Sequence, residues 1–368
     1  MLSLLPKLFF LAVVLTGLPI LGVALAGLPV AQYLEFPPET RYVSHAPFSW
    51  VVFACYGVFL LAVVTPFWIA GWRFRKRSSA AGPAVCPFPW WGWVGVVTGL
   101  VSWYLAWTRY PWFSGFQTHT FTPLWISFIL VMNGLTYRRT GHCMMLDRPL
   151  FFFLLFPTSA LFWWFFEYLN RFVQNWYYVG ARFTAWEYFW YATLPFSTVL
   201  PAVLGARQWI SRWTWVDATF EHFVPLRIKN PRRVAEGTLI AAGAGLIGIG
   251  VWPDYLFPLL WVSPLLIIVS VQTIAGERHA LSDVAKGDWR AVISCAVAAL
   301  FCGWFWEMWN YFSLAKWEYA IPFVDRFKIF EMPLLGYAGY LPFGLECAVI
   351  GDVLETALGI NGDRKYGT

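Results

Sequence analysis

The chain has 368 residues, of which 59% are hydrophobic, 21% aromatic and only 12% charged, with a formal net charge of +6 and a mean hydropathy of +0.57. A soluble domain carries about 25% charged residues, so the balance excludes a soluble globular protein. Its basic excess points to anionic lipid and the positive-inside rule, not to nucleic acid.

Long continuous apolar runs select helices over a closed barrel, because lipid offers the backbone no hydrogen-bond partner. Ten spans are expected in chain order, at about 8–30, 49–72, 91–107, 120–136, 151–170, 190–206, 237–252, 256–275, 291–312 and 333–350. The first contains Pro19 and is long for a signal sequence, so a retained helix is expected. The alternative is cleavage after Ala24-Leu25-Ala26, which leaves nine spans in the same orientation.

With the N-terminus inside, nineteen of the 26 Lys and Arg fall on the cytoplasmic side. They include Lys7, the cluster Arg73, Arg75, Lys76 and Arg77, then Arg138, Arg139, Arg207, Arg290, Arg364 and Lys365. Only seven fall outside: Arg41, Arg109, Arg171, Arg182, Lys316, Arg326 and Lys328. The bias holds loop by loop and places both termini in the cytoplasm. The inner segment VPLRIKNPRRV (Val224 to Val234) is expected to rest on anionic headgroups.

Spans 3–6 and 7–10 read as direct four-helix repeats. Trp125 matches Trp261 at an offset of 136, His142 matches His279 at 137, and Glu167-x-x-Asn170 matches Glu307-x-x-Asn310 at 140. Glu187 then matches Glu331 at 144 and Leu194-Pro195-Phe196 matches Leu341-Pro342-Phe343 at 147. The matches keep their order while the offset drifts through small insertions. The organisation is an N-terminal hairpin (1–75), repeat 1 (90–207), a basic linker (208–235), repeat 2 (236–351) and a cytoplasmic tail (352–368). The expected fold class is an all-α polytopic membrane protein, with a cavity where the two halves meet.

Polar groups inside so apolar a chain are the candidates for function. In each E-x-x-N the carboxylate and carboxamide share a helix face, where Asn can donate to Glu. Glu167 and Glu307 are expected near the outer edge of the hydrocarbon, with Glu187 and Glu331 in the outer loops beyond them. Together they read as an outer-leaflet set of four carboxylates among Trp306, Trp309, Tyr311 and Trp317, with Asn170 and Asn310 beside them. The bland alternative is an aromatic interface belt in which each Glu is held by Asn or by Arg171, Lys316 or Arg326. Glu346 is different: its repeat equivalent is Val199, and it lies inside the last span, about 20 Å from Pro333 at 1.5 Å per residue. It is expected to be protonated, or to face a partner or cavity.

The six cysteines include no C-x-x-C pair, and the five histidines include no helical H-x-x-x-H pair. No metal or cofactor is expected. No phosphate loop, G-x-G-x-x-G or G-x-S-x-G element appears in a strand–helix setting. The glycines of GAGLIGIG (Gly243 to Gly250) lie in span 7, where they permit close helix packing.

The run W-E-M-W-N-Y…K-W-E-Y, followed by K-I-F-E-M-P-L-L-G-Y-A-G-Y-L-P-F, resembles a group of multi-pass bacterial membrane proteins without an assigned activity. A fainter likeness is to the membrane-embedded lycopene cyclases, whose W-D-N-Y…W-Y element is similar to Trp306-Glu307…Asn310-Tyr311…Trp317…Tyr319. Their P-x-E-E is not matched: Pro333 is followed by Leu334, Leu335 and Gly336. Two functions are expected from the residues. In the first, an inner-membrane enzyme acts on a lipid or isoprenoid by acid catalysis, with Glu307 as proton donor, Asn310 orienting it, and Glu346 a further candidate. In the second, a non-enzymatic carrier, or a structural subunit, binds a hydrophobic or amphipathic ligand between the repeats.

Overall fold

A computed structural model describes residues 4–36, 42–75 and 85–359. Arg41, Lys76, Arg77, Arg364 and Lys365 of the charge count lie outside the described residues, as does most of the 352–368 tail. The helices are α1 (Leu4–Leu25), α2 (Trp50–Arg75), α3 (Trp90–Trp107), α4 (Phe121–Thr140), α5 (Met144–Asp147), α6 (Pro149–Val173), α7 (Ala185–Phe196) and α8 (Val199–Ile210). After them come α9 (Thr214–Phe220), α10 (Pro231–Gly248), α11 (Pro253–Leu256), α12 (Leu259–Ile274), α13 (Arg290–Tyr311) and α14 (Tyr340–Ala357).

Local sequence sets many of the boundaries. Pro149, Pro231 and Pro253 open helices, where the missing N–H costs nothing and the fixed φ is already helical. α4 closes with Arg138 and Arg139 in its last turn and the left-handed Gly141 as its C-cap. α7 begins with a capping box between Thr184 and Glu187.

Among the described residues, six segments are long and apolar enough to cross a membrane: Leu5–Leu25, Trp50–Phe74, Pro149–Val173, Ala185–Ile210, Arg290–Tyr311 and Leu334–Ala357. α12 is equally apolar but shorter, at 16 residues. Each of the ten expected segments overlaps a helix, the sixth being divided into α7 and α8, but α3, α4 and α10 do not meet the length and apolarity of a span. The tenth starts later than expected. Pro333 has no N–H and biases Met332 towards extended backbone, so Met332–Pro333 pairs with Lys328–Ile329 instead of opening a helix. Leu334–Gly339 then forms a 3-10 turn, and the α-helix begins at Tyr340. Glu346 is therefore about 9 Å into its helix, at 1.5 Å per residue.

The core lies among α4, α6, α8, α12, α13 and α14, with α3 against α4, α10 against α12, and α1 against α10. α2 stands apart: it touches α9 and the 334–339 turn, and its apolar stretch is not buried. Helix ends are tied by polar contacts. Lys7 pairs with Glu277, and Arg148 with Glu355 at 2.7 Å. At the opposite ends His45 meets Asp254 at 2.6 Å, and Arg109 donates to the Phe312 carbonyl at 2.7 Å.

The chain is mostly helical, but two short ribbons are present, and four-residue strands are too short to show a period in the sequence. β1 (Trp176–Val179) pairs antiparallel with β2 (Lys316–Tyr319), matching Trp176 with Tyr319 and Tyr178 with Trp317. β3 (Lys328–Ile329) pairs with β4 (Met332–Pro333).

Candidate functional site

β1 follows α6 and β2 follows α13, and in both places the E-x-x-N asparagine holds the strand. Asn170 donates to the Trp176 carbonyl at 2.8 Å and accepts from the Asn175 N–H at 2.8 Å. Asn310 donates to the Trp317 carbonyl at 2.7 Å and accepts from the Trp317 N–H at 2.9 Å. Neither carboxamide turns to its glutamate. The strand backbone just beyond each helix end offers both a donor and an acceptor, which a carboxylate cannot match.

The pleat sends alternate side chains to opposite faces, so Trp176, Tyr178, Trp317 and Tyr319 share one face. Glu167 and Glu307 lie behind these rings, fully buried. Glu167 Oε1 accepts from the Tyr178 hydroxyl at 2.6 Å, the Trp176 indole N–H at 3.0 Å and the Trp163 indole N–H at 3.2 Å. Glu307 Oε1 accepts from the hydroxyls of Tyr319 and Tyr340, both at 2.7 Å. The Trp317 indole donates to the Tyr319 oxygen at 2.8 Å, so its proton reaches Glu307 one bond removed. Burial, and next the Glu167 carboxylate, push the Tyr178 hydroxyl well above its usual range. Burial and the Glu307 charge do the same to Tyr319, so both phenols remain donors.

In front of the rings is a cavity of about 1060 Å³, at the upper end of the roughly 300–1,000 Å³ typical of ligand pockets. Trp163, Trp176, Tyr178, Trp317, Tyr319 and Tyr340 all line it. Their N–H and O–H groups turn to the carboxylates, directly or through Tyr319, so the wall is made of ring faces although every ring carries a polar atom. Trp261 and Trp306 extend that wall. Trp261 stacks on Phe166 at 5.1 Å, and Trp306 lies 4.8 Å from Trp125. On the far side α2 presents Tyr56, Phe59, Leu60 and Val63, an i, i+3, i+4, i+7 face about 10 Å tall. Phe59 remains 62% and Val63 46% exposed, so this wall is loose and opens sideways. Lys316 and Arg182 line the cavity near the end of the ribbon where Val179 pairs with Lys316.

The four acidic residues expected together are separated. Glu187 is exposed and caps α7, accepting from the Thr184 N–H at 2.8 Å. Glu331 forms an ion pair with Lys316 at 2.5 Å. Glu346 is buried on α14, is not part of the cavity wall, and neither of its oxygens has a partner among the described residues. Trp309 packs between Trp125 and Phe128, away from the cavity. Tyr311 lies against Phe312 and Phe330. Trp306 and Trp317 do line the cavity. Sequence reasoning passed over Trp163, Trp176, Tyr178, Tyr319 and Tyr340. A signal for three of them was present: Trp176 stands 141 residues before the predicted Trp317, and Tyr178 stands 141 before Tyr319.

Among the described residues, no group of three or more His, Cys, Asp or Glu is arranged to hold a metal ion. No family model, no curated protein and no solved structure matches the chain.

Proposed function

We propose that this chain is a ten-span protein of a bacterial inner membrane, with both termini inside, that holds the apolar part of an amphipathic lipid or isoprenoid in the aromatic cavity. The observation that carries this reading is the direction of the ring donors. With the polar atoms of Trp163, Trp176, Tyr178, Trp317, Tyr319 and Tyr340 committed to Glu167 and Glu307, directly or through Tyr319, these six rings offer a ligand faces and dispersion contacts. A hydrocarbon chain suits such a wall, and a strongly hydrated solute does not. The loose α2 side supplies a lateral path from the bilayer.

The ten-span arrangement is supported by the ties between helix ends. Lys7 with Glu277, and Arg148 with Glu355, join segments assigned to the inside. His45 with Asp254, and Arg109 with Phe312, join segments assigned to the outside. Two direct repeats are supported by the ribbon. Its register sets each Trp opposite the other strand's Tyr, as a two-fold axis through Tyr177 and Glu318 requires. Phe121 and Phe257, 136 apart like Trp125 and Trp261, both line the cavity.

The test is lipid carried through purification in mild detergent, read by native mass spectrometry. Ala192→Trp and Ala338→Trp, which fill the cavity from two sides, should lose most of the lipid retained by the unaltered protein. Thermal unfolding would confirm that both variants fold. Equal retention in all three proteins would sink the binding reading.

Acid catalysis on the same ligand is a second reading, favoured by one observation: the two tyrosines whose hydroxyls touch Glu307 also line the cavity. Glu307, in its protonated form, would relay a proton through the Tyr319 or Tyr340 hydroxyl to an alkene carbon, and ring faces would stabilise the carbocation. Loss of a proton from an adjacent carbon back along the same relay would leave a rearranged alkene and restore the acid. Comparative lipid mass spectrometry of host cells would then show a species that depends on the protein and disappears with both Glu307→Gln and Tyr319→Phe. Unchanged lipid chemistry leaves binding alone.

A further inference from the structure

The cavity combines an apolar body with a cationic mouth, and the mouth is built by the ribbon. Val179, the last residue of β1, pairs with Lys316, the first of β2. The chain then turns at Gly180, where φ is +85° and a Cβ would stand 1.8 Å from the Leu314 carbonyl oxygen. Only glycine permits that approach. Beyond the turn, three residues after the Val179 that pairs with Lys316, Arg182 also lines the cavity.

The two cations differ in availability. The Lys316 ammonium reaches Glu331 at 2.5 Å and Glu318 at 3.4 Å. Burial alone would lower its pKa, but the Glu331 hydrogen bond and the two carboxylate charges raise it overall, so Lys316 stays charged. Neither of these glutamates lines the cavity; Lys316 does. Arg182 is exposed and makes no hydrogen bond or ion pair with any described residue. Its guanidinium fork matches a phosphate or a carboxylate.

We propose that Arg182 and Lys316 form a headgroup subsite, and that the ligand is an anionic lipid whose phosphate or carboxylate sits at the ribbon while its chain lies between the ring wall and α2. This rests on the cavity-binding reading above and adds the charge class of the ligand. One juxtaposed cation contributes about 1 kcal/mol towards an anionic headgroup, which is about fivefold in affinity.

The experiment uses the full-length protein, delipidated in detergent and titrated with dioleoylphosphatidylglycerol, dioleoylphosphatidylcholine or oleate, with adducts counted by native mass spectrometry. The unaltered protein should prefer phosphatidylglycerol to phosphatidylcholine by at least about fivefold. Arg182→Gln should cut that preference about fivefold, Lys316→Gln should cut it further, and phosphatidylcholine binding should stay the same. Oleate bound in preference to phosphatidylglycerol would assign the carboxylate, and the reverse would assign the phosphate. Equal binding of the neutral and anionic phospholipids, unmoved by Arg182→Gln, would overturn the headgroup subsite while the cavity reading stands. Adducts that survive in Ala192→Trp would instead overturn the cavity reading, and the subsite with it.

Discussion

Glu167 takes three donors directly, from Trp163 one turn earlier on its own helix and from Trp176 and Tyr178 on β1. Glu307 takes two, and the second comes from a different element: Tyr340 at the start of α14 supplies what Trp163 supplies to Glu167. Gly303 stands four residues before Glu307, as Trp163 stands before Glu167, and a Cβ there would come within 2.5 Å of the Tyr340 ring. A missing side chain in one half thus makes room for a phenol from the next helix. The same carboxylate role is filled by different donors, and what is kept is the outcome: an acid sealed behind rings with their polar atoms turned inward. Near Glu307 the donor comes from α14, so only that half couples the carboxylate to the helix carrying Glu346.

The difference can be broken in order of expected effect. Glu167→Ala strands three buried donors and Glu307→Ala strands two. At about 1–3 kcal/mol for each stranded donor, the first should lower stability in detergent by about 3–9 kcal/mol and the second by about 2–6 kcal/mol. Equal losses would mean that Trp163 contributes nothing to Glu167. Asn170→Ala and Asn310→Ala remove the side-chain bonds that clamp the ribbon to the two helices. Each should cost about 2 kcal/mol and speed hydrogen exchange at Trp176 to Val179 and Lys316 to Tyr319. Unchanged exchange would show that the ribbon holds itself.

Gly303→Ala and Tyr340→Phe separate space from chemistry at the site that distinguishes the halves. The alanine methyl must push the Tyr340 ring aside, at about 1–3 kcal/mol. The phenylalanine removes a single hydrogen bond, at about 1 kcal/mol. A Gly303→Ala loss no larger than that of Tyr340→Phe would mean the ring has free room to move. The smallest effect belongs to the ribbon's outer ion pair. Glu331→Gln should cost Lys316 about 1 kcal/mol or less and free its ammonium, so anionic lipid retention should rise slightly. A fall in retention would mean that Glu331 positions Lys316 instead of competing for it.

Much of the fold was legible because the information is local. Hydropathy runs are read one segment at a time. The two E-x-x-N elements were visible as a repeated pattern, and Trp306 and Trp317 as ring neighbours of an acid. The partner of each Asn was not legible, since carboxamide and carboxylate share a helix face by spacing alone, and only the strand laid across the helix end draws the carboxamide away. Nor was the separation of Glu187 and Glu331 from the buried pair. Both follow an aromatic run at similar distances, yet one meets Thr184 three residues back and the other meets Lys316 across a turn.

By itself the sequence determined a mostly helical chain with membrane-spanning segments, and two carboxylates embedded at corresponding places among rings. It did so because helical propensity, apolar length and charge bias are properties of consecutive residues. Only the tertiary structure decided which way the rings face. Trp176, Tyr178 and Tyr319 reach their acids from strands 9 to 12 residues further along, and Tyr340 from 33 residues away. A hydrogen bond over that distance exists only when packed helices fix both its ends. The cavity is the consequence, because a wall of indoles and phenols becomes apolar only once their donors have been taken up on the other side.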